Sequence, residues 1–198
     1  MLKHSAKHTI SISLIIVIFM TSALFAQINT FTLSAGISKV TGSGGGNVQL
    51  GYNGAVHVFT KINSYIYLGG KMAYNYFSKD TGELEDAYPD FDFDESMKIF
   101  EIVPMLRFAP VASEDSPPKI FIQAGYGLFN FKSTLEVSSN GQSVSDTYSE
   151  SDGGLSLGIG FVFGKNKKYQ FELLPCYNIV YSEGESTKYF SVNLGIRM

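Results

Sequence analysis

The sequence predicts an all-β protein, an eight-stranded antiparallel up-and-down transmembrane β-barrel, and three observations lead to this prediction. Apolar and polar residues alternate with a period of two in eight separate segments. The 198 residues include 20 glycines, and 14% of the residues are aromatic; both kinds of residue are weak helix formers. The connections between the segments differ in character, because two odd-numbered ones are long and acidic. Membrane barrels likewise have short turns at one end and longer loops at the other.

Composition and charge exclude several other classes of protein. A hydrophobic fraction of 44% argues against intrinsic disorder. The formal net charge of −3 argues against nucleic-acid binding. A single cysteine excludes both a disulfide framework and a cysteine-based zinc site. No motif for a cofactor is present, so none is expected.

We predict that residues 1–26 form a secretory signal peptide and that residues 27–198 form one barrel domain. Lys3 and Lys7 precede an unbroken apolar run over residues 14–20, and small residues then lead to Ala26. This order is typical of signal peptides, with cleavage after Ala26 or, alternatively, after Ala23. An uncleaved anchor is the other interpretation, but the apolar run is shorter than the roughly 20 residues of a spanning helix.

The eight alternating segments each have one bulky apolar face and one small or polar face. Successive side chains of a strand point to opposite sides of the sheet, so each segment predicts a strand with two different faces. A soluble ligand-carrying barrel would turn the apolar face inward, whereas a membrane barrel turns it outward. Small residues fill the narrow lumen of eight strands, which favours the membrane barrel. The segments are 31–38, 48–58, 66–76, 100–109, 120–128, 156–163, 170–181 and 190–198.

Two prolines fall on the predicted apolar face. Pro104 lies in the fourth segment and Pro175 in the seventh. Proline has no N–H to donate to a ladder of hydrogen bonds. Each therefore predicts a local bulge or weakened strand pairing.

Three strands carry a resemblance to a known family. They are residues 101–108, with Pro104 and Arg107; residues 123–127, Gln-Ala-Gly-Tyr-Gly; and the terminal strand 189–198. The chain resembles the small outer-membrane β-barrel family that includes OmpX and the barrel half of OmpA. The junction 25–27 also resembles PorT-like outer-membrane barrels. The resemblance implies the outer membrane as location, with lipid, lipopolysaccharide and the insertion machinery as partners.

For function, we expect a structural, surface-interaction or adhesion role without an open pore and without catalysis. An accessory role in a secretion or envelope-assembly complex is the alternative that PorT-like resemblance implies, with an extracellular or secretion-complex protein as partner. A lipid-modifying enzyme is a third possibility. Catalysis needs a nucleophile, a base and an orienting group in mutual reach. His57, the one histidine after residue 26, and Cys176 both fall on the predicted lumen face, so no catalytic residues are predicted.

Five charged residues on the small face predict a charge network inside the lumen. Charges in a narrow interior are costly unless they are paired. A turn centred between Gly184 and Glu185 would place Glu172 opposite Arg197. A structural plug is the expected role, and a narrow proton or ion path is the alternative. The five residues are Lys71, Glu101, Arg107, Glu172 and Arg197.

Two long connections hold the remaining candidate sites. Asp90, Asp92 and Asp94 alternate along the chain and are candidate ligands for a calcium or magnesium ion. A charged strand extension that merely repels is the other interpretation. Asn140-Gly141 is a two-residue hairpin signal, which predicts that strands five and six continue as a hairpin beyond the membrane. Such a hairpin offers edges for protein contacts, or else forms only a solvated rim.

Overall fold

A computed structural model describes residues 29–41, 48–110, 119–139, 142–164, 168–182 and 186–198. In this part of the chain, eight strands form a closed barrel in which each strand runs antiparallel to the next and β8 returns to pair with β1. The predicted fold class is therefore confirmed. The predicted signal peptide, residues 1–26, lies outside the described residues. The strands are β1 (Thr30–Thr41), β2 (Gly51–Lys61), β3 (Ile66–Ser78), β4 (Asp92–Phe108), β5 (Ile120–Ser139), β6 (Gln142–Phe163), β7 (Gln170–Tyr181) and β8 (Ser186–Arg197).

A short helix, α1 (Gly82–Ala87), stands between β3 and β4. Its carboxyl end is closed by the Tyr88 N–H, which donates to the carbonyl oxygen of Leu84. Within the residues that the structure describes, no helix is long and apolar enough to cross a membrane.

Because apolar and small or polar residues alternate along each strand, the barrel wall has an apolar outer face and a small or polar inner face. Along β8, for example, Ser191 and Asn193 are buried in the lumen, whereas Leu194 and Ile196 are about half exposed on the outside. Val48 is an exception, because it was expected on the outer face of the second strand. The structure begins β2 at Gly51 and buries Val48 inside, where it forms an isolated bridge with Lys79.

The two ends of the barrel differ. At the end that we call the hairpin end, β5 and β6 continue far past the other strands and pair up to Ser139 and Gln142. The opposite end, which we call the terminal end, carries the start of β1 and the end of β8. The predicted hairpin over strands five and six is therefore confirmed on both sides of the 140–141 turn, which itself lies outside the described residues.

Both prolines interrupt the hydrogen-bonded ladder on one side, as predicted for weakened pairing. Pairing of β4 with β5 is broken between Ile102 and Met105, around Pro104, and resumes in the same register. Pairing of β6 with β7 is broken in the same way around Pro175. Because the register continues unchanged across each gap, the effect is lost pairing and not a bulge.

One glycine inside the barrel permits close packing that a larger residue would prevent. A Cβ atom on Gly160 would collide with the ring of Phe121, which is fully buried in the lumen. We expect Gly160→Ala to lower the free energy of unfolding by about 1–3 kcal/mol, the usual cost of overpacking. Urea unfolding in detergent micelles measures this cost.

Gly70→Ala is the matched control for Gly160→Ala. A Cβ atom on Gly70 would be 3.5 Å from the nearest atom, the carbonyl oxygen of Val103, which is ordinary contact. The double variant Gly160→Ala/Phe121→Leu should recover part of the loss. Equal stability of the two single alanine variants would contradict the packing argument.

Candidate functional site

The outer wall of the barrel is apolar and is bounded by aromatic residues at both ends. At the hairpin end, Tyr52 and Tyr76 stack with their ring centroids 5.1 Å apart. At the terminal end, Phe163 and Phe171 stack at 5.7 Å. Between these two girdles lie exposed aliphatic side chains, for example Leu194. An apolar band flanked by aromatic girdles is the outer surface of a transmembrane barrel.

The lumen is filled by side chains. Towards the hairpin end it is closed by apolar residues, among which Tyr189 makes edge-to-face contacts with Phe77 at 6.2 Å and with Phe129 at 6.5 Å. All three rings are completely buried. The described lumen is therefore a packed core, as expected for eight strands. The apolar layer comprises Val40, Val48, Phe77, Met97, Ile99, Phe129, Val180 and Tyr189.

The described residues form two buried ion pairs, and the first of them lies below this apolar layer. Lys71 Nζ is 2.5 Å from Glu101 Oε2, and both side chains are almost fully buried. The ammonium also donates to Ser156 Oγ at 2.8 Å and to Asn178 Oδ1 at 3.2 Å. Asn75 Nδ2 donates to the second carboxylate oxygen, Glu101 Oε1, at 2.6 Å. Hydrogen bonds of this kind satisfy the charges that burial has removed from water.

The second ion pair lies nearer the terminal end. Arg107 Nη2 donates to Glu172 Oε1 at 3.2 Å, and Nη1 donates to Glu172 Oε2 at 3.3 Å. Gln123 Oε1 accepts from Nε and Nη2 of the same guanidinium. The guanidinium carbon lies between two aromatic rings, 4.0 Å from the centroid of Phe59 and 3.7 Å from that of Phe121. Arginine suits this site because its planar guanidinium donates to both carboxylate oxygens at once and stacks on aromatic ring faces, which a lysine ammonium does not do.

The register predicted between β7 and β8 was wrong by two residues. Arg197 lies opposite Gln170, and Glu172 lies opposite Gly195. Arg197 Nη2 instead donates to Thr30 Oγ1 at 3.2 Å. The five predicted lumen charges are thus all buried inside the barrel, but the structure arranges four of them as two separate pairs and not as one network. Sequence reasoning missed the neutral partners Gln123, Ser156 and Asn178, because their roles depend on strands far apart in sequence.

His57 and Cys176 are buried in the same lumen. Among the described residues, neither ring nitrogen of His57 has a hydrogen-bond partner.

The three candidate metal ligands are not brought together. Asp90 lies in the turn before β4, where its backbone oxygen accepts a hydrogen bond from Ser139 Oγ at 2.9 Å. Asp92 and Asp94 follow in β4, opposite Ser138 and Glu136. Across the described ranges, no group of three or more histidine, cysteine or acidic residues is placed to hold a metal ion.

Beyond the barrel rim, β4, β5 and β6 form a three-stranded sheet, which we call the extension. The acidic connection before the fourth strand was expected to hold either a metal site or a charged strand extension, and the structure has a strand there, because β4 already begins at Asp92 and pairs there with Ser138 of β5. On the other side, pairing of β6 with β7 begins at Gly153. In the described part of the chain, no strand covers the β6 edge over residues 142–152. The extension therefore presents one long unpaired strand edge.

Side chains of β6 in the extension are mostly exposed, and over residues 142–152 six are neutral and polar, three are acidic and two are apolar. Val144 is 73% exposed and Tyr148 is 64% exposed. Tyr148 Oη donates to Glu150 Oε2 at 2.8 Å. This hydrogen bond, together with the negative charge of Glu150, raises the pKa of Tyr148. The phenol therefore remains a hydrogen-bond donor throughout the neutral pH range.

The closed sheet, the apolar wall with two girdles and the filled polar lumen define a small transmembrane β-barrel. The family model described as the outer membrane protein beta-barrel domain matches residues 11–197. The chain belongs to this family, and its membership places the protein in the outer membrane. A comparison with curated proteins found no match.

Solved structures share the fold at low sequence identity. The chain is similar to Ail, the attachment invasion locus protein of Yersinia pestis, with 15% identity and a TM-score of 0.54 over 87% of this chain and 99% of Ail. It is similar to a major outer membrane protein from Thermus thermophilus, with 12% identity and a TM-score of 0.54 over 85% of this chain and 97% of that one. Neisserial surface protein A matches at 13% identity and a TM-score of 0.50, over 85% and 95%.

Proposed function

We propose that this protein is a non-catalytic surface-interaction barrel, and that its extension contacts a protein partner outside the cell. The observation that carries the proposal is the unpaired β6 edge over residues 142–152, raised above the rim on a three-stranded sheet. An exposed strand edge offers N–H and C=O groups in register, so an extended peptide adds to it as a further strand. The filled lumen supports a role without an open pore.

Composition of the edge also favours a binding role. Proteins protect exposed edges with charged side chains, above all lysine, and with proline or bulges. Residues 142–152, Gln-Ser-Val-Ser-Asp-Thr-Tyr-Ser-Glu-Ser-Asp, contain neither lysine nor proline, and β6 pairs with β5 without a bulge. Asp146, Glu150 and Asp152 give the edge negative charge, so the partner segment should carry basic residues.

A photo-crosslinking residue at Val144 tests the proposal. We expect covalent products between this position and a protein exposed at the cell surface, because Val144 is 73% exposed on the extension. A product with a periplasmic or secretion-complex protein would support the alternative, an accessory role in envelope assembly. Products are identified by mass spectrometry after crosslinking on intact cells.

The control places the same crosslinker at Lys61, an exposed residue at the terminal end of β2. A membrane-impermeant thiol reagent should modify Val144→Cys but not Lys61→Cys on intact cells, because the two positions lie at opposite ends of the barrel. The natural Cys176 is buried, so it should not add background labelling. Modification at position 61 alone would reverse the orientation and contradict the proposal. A changed lipid A profile in cells lacking the protein would instead support the lipid-modifying enzyme.

A further inference from the structure

Two lysines lie directly opposite each other on the outer face of the barrel at its hairpin end. Lys98 of β4 and Lys132 of β5 are cross-strand partners. Both follow the outward period of their strands, two residues beyond the pair Phe100 and Asn130. Like charges directly opposite each other destabilise a sheet. In the described part of the chain, neither ammonium lies within salt-bridge distance of a carboxylate.

Polar groups surround this lysine pair on the same face. Ser96 and Thr134 form the next outward-facing pair, on the side away from the membrane, and Thr134 Oγ1 shares a hydrogen bond of 3.3 Å with Thr147 Oγ1. The acidic residues Asp94 and Glu136 come one pair further still. Since same-face positions along a strand are about 6.8 Å apart, the backbones of these two acidic residues lie about 14 Å from those of the lysines.

Aromatic residues fix the height of the pair in the membrane. Tyr76 is the β3 partner of Lys98, and Lys98 Nζ lies 5.9 Å from the centroid of the Tyr76 ring. Tyr76 also stacks on Tyr52 in the girdle of the hairpin end. Aromatic girdles lie at the level of lipid headgroups. The two ammonium groups are therefore at the height at which lipid phosphates occur.

We propose that Lys98 and Lys132 form a binding site for the phosphate group of an outer-leaflet lipid. A phosphate between the two ammoniums removes their mutual repulsion and accepts charge-assisted hydrogen bonds from both. The hydroxyls of Ser96 and Thr134 are placed to donate to the remaining phosphate oxygens, while the acyl chains cover the apolar wall below. The inference rests on the part of the proposed function that places the hairpin end at the outer leaflet.

Lysine acylation in vesicles tests the site. The full-length protein is reconstituted into phosphatidylcholine vesicles that contain either bis-phosphorylated lipid A or the same lipid after removal of both phosphates. We expect the phosphorylated lipid to slow acylation of Lys98 and Lys132, and to leave the exposed Lys61 unchanged. Equal protection by the dephosphorylated lipid would overturn the proposal. Protection by inorganic phosphate alone would overturn the assignment to a lipid in favour of a free anion.

Substitutions supply the second measurement. One lysine near a membrane surface contributes about a fivefold change in binding of anionic lipid, so Lys98→Gln/Lys132→Gln should retain the phosphorylated lipid about thirtyfold less well in native mass spectrometry. Lys98→Arg/Lys132→Arg should retain it. Lys61→Gln/Lys119→Gln, which removes the same charge at the terminal end, should behave as the unaltered protein. If the glutamine variant does not fold, the acylation result on the unaltered protein decides the matter.

The outcome separates this inference from the proposed function. Phosphate-dependent protection without a crosslinked partner at Val144 would support the lipid site and contradict the surface-interaction role. A crosslinked partner without protection would do the reverse. Equal lipid retention by the glutamine variant and the unaltered protein would overturn the site.

Discussion

Glu172→Leu should lower the free energy of unfolding by about 3–5 kcal/mol, the cost of leaving one member of a buried ion pair without its partner. Arg107 and Glu172 are each 1% exposed, and their closest atoms are 3.2 Å apart. With Glu172 replaced, the guanidinium keeps Gln123 as acceptor but remains charged in a lumen that water cannot easily enter. Urea unfolding of the refolded barrel in micelles, followed by circular dichroism, measures the loss.

The double variant Arg107→Met/Glu172→Leu is the decisive comparison. It removes both charges, and the methionine side chain occupies the space between the rings of Phe59 and Phe121. Replacing both members of a buried pair by apolar residues is often neutral, so the double variant should be more stable than Glu172→Leu. Glu136→Leu, on the exposed extension, should cost little. A double variant as unstable as Glu172→Leu would show that the ion pair is not the cause.

Leu194→Arg should destabilise the barrel in a membrane by about 2–4 kcal/mol, because it places a charge near the middle of the lipid-facing wall. Leu194 lies in β8 between Leu173 and Ala35 and is 54% exposed on the outside. The same substitution at Met198, just beyond the end of β8, lies near the interface and should cost only about 0–1 kcal/mol. Folding into phosphatidylcholine vesicles, measured against urea, gives both values.

This depth dependence distinguishes a membrane wall from a wetted surface. On a soluble barrel, arginine would be tolerated equally at two exposed positions, so equal stability of the two variants would contradict the assignment of faces. Leu194→Met is the control for side-chain size. Asn193 is unsuitable for a matched arginine, because it is only 4% exposed and lies in the filled lumen. An arginine there would both overpack the interior and add an unpaired charge.

The sequence by itself determined the fold class, the faces of the wall and the hairpin. Each follows from local chemistry: side chains alternate strictly along an extended strand, and Asn140-Gly141 favours a tight turn. Residues such as Leu194 and Glu172 were therefore assigned to the correct side. The predicted β7–β8 register was wrong by two residues, yet both kept their faces. A register slip of two residues leaves every side chain on its own face, whereas a slip of one residue would have moved every side chain to the opposite face.

Only the tertiary structure decided which side chains meet. Lys71 pairs with Glu101 across two neighbouring strands, but Arg107 reaches Glu172 across the lumen from β4 to β7. Partners of this kind depend on the stagger of all eight strands, which no local pattern contains. The same holds at the hairpin end, where β4 joins the extension and places Lys98 opposite Lys132. The sequence shows which side chains point inward or outward, but the registers of all eight strand pairs together decide which of them are in contact.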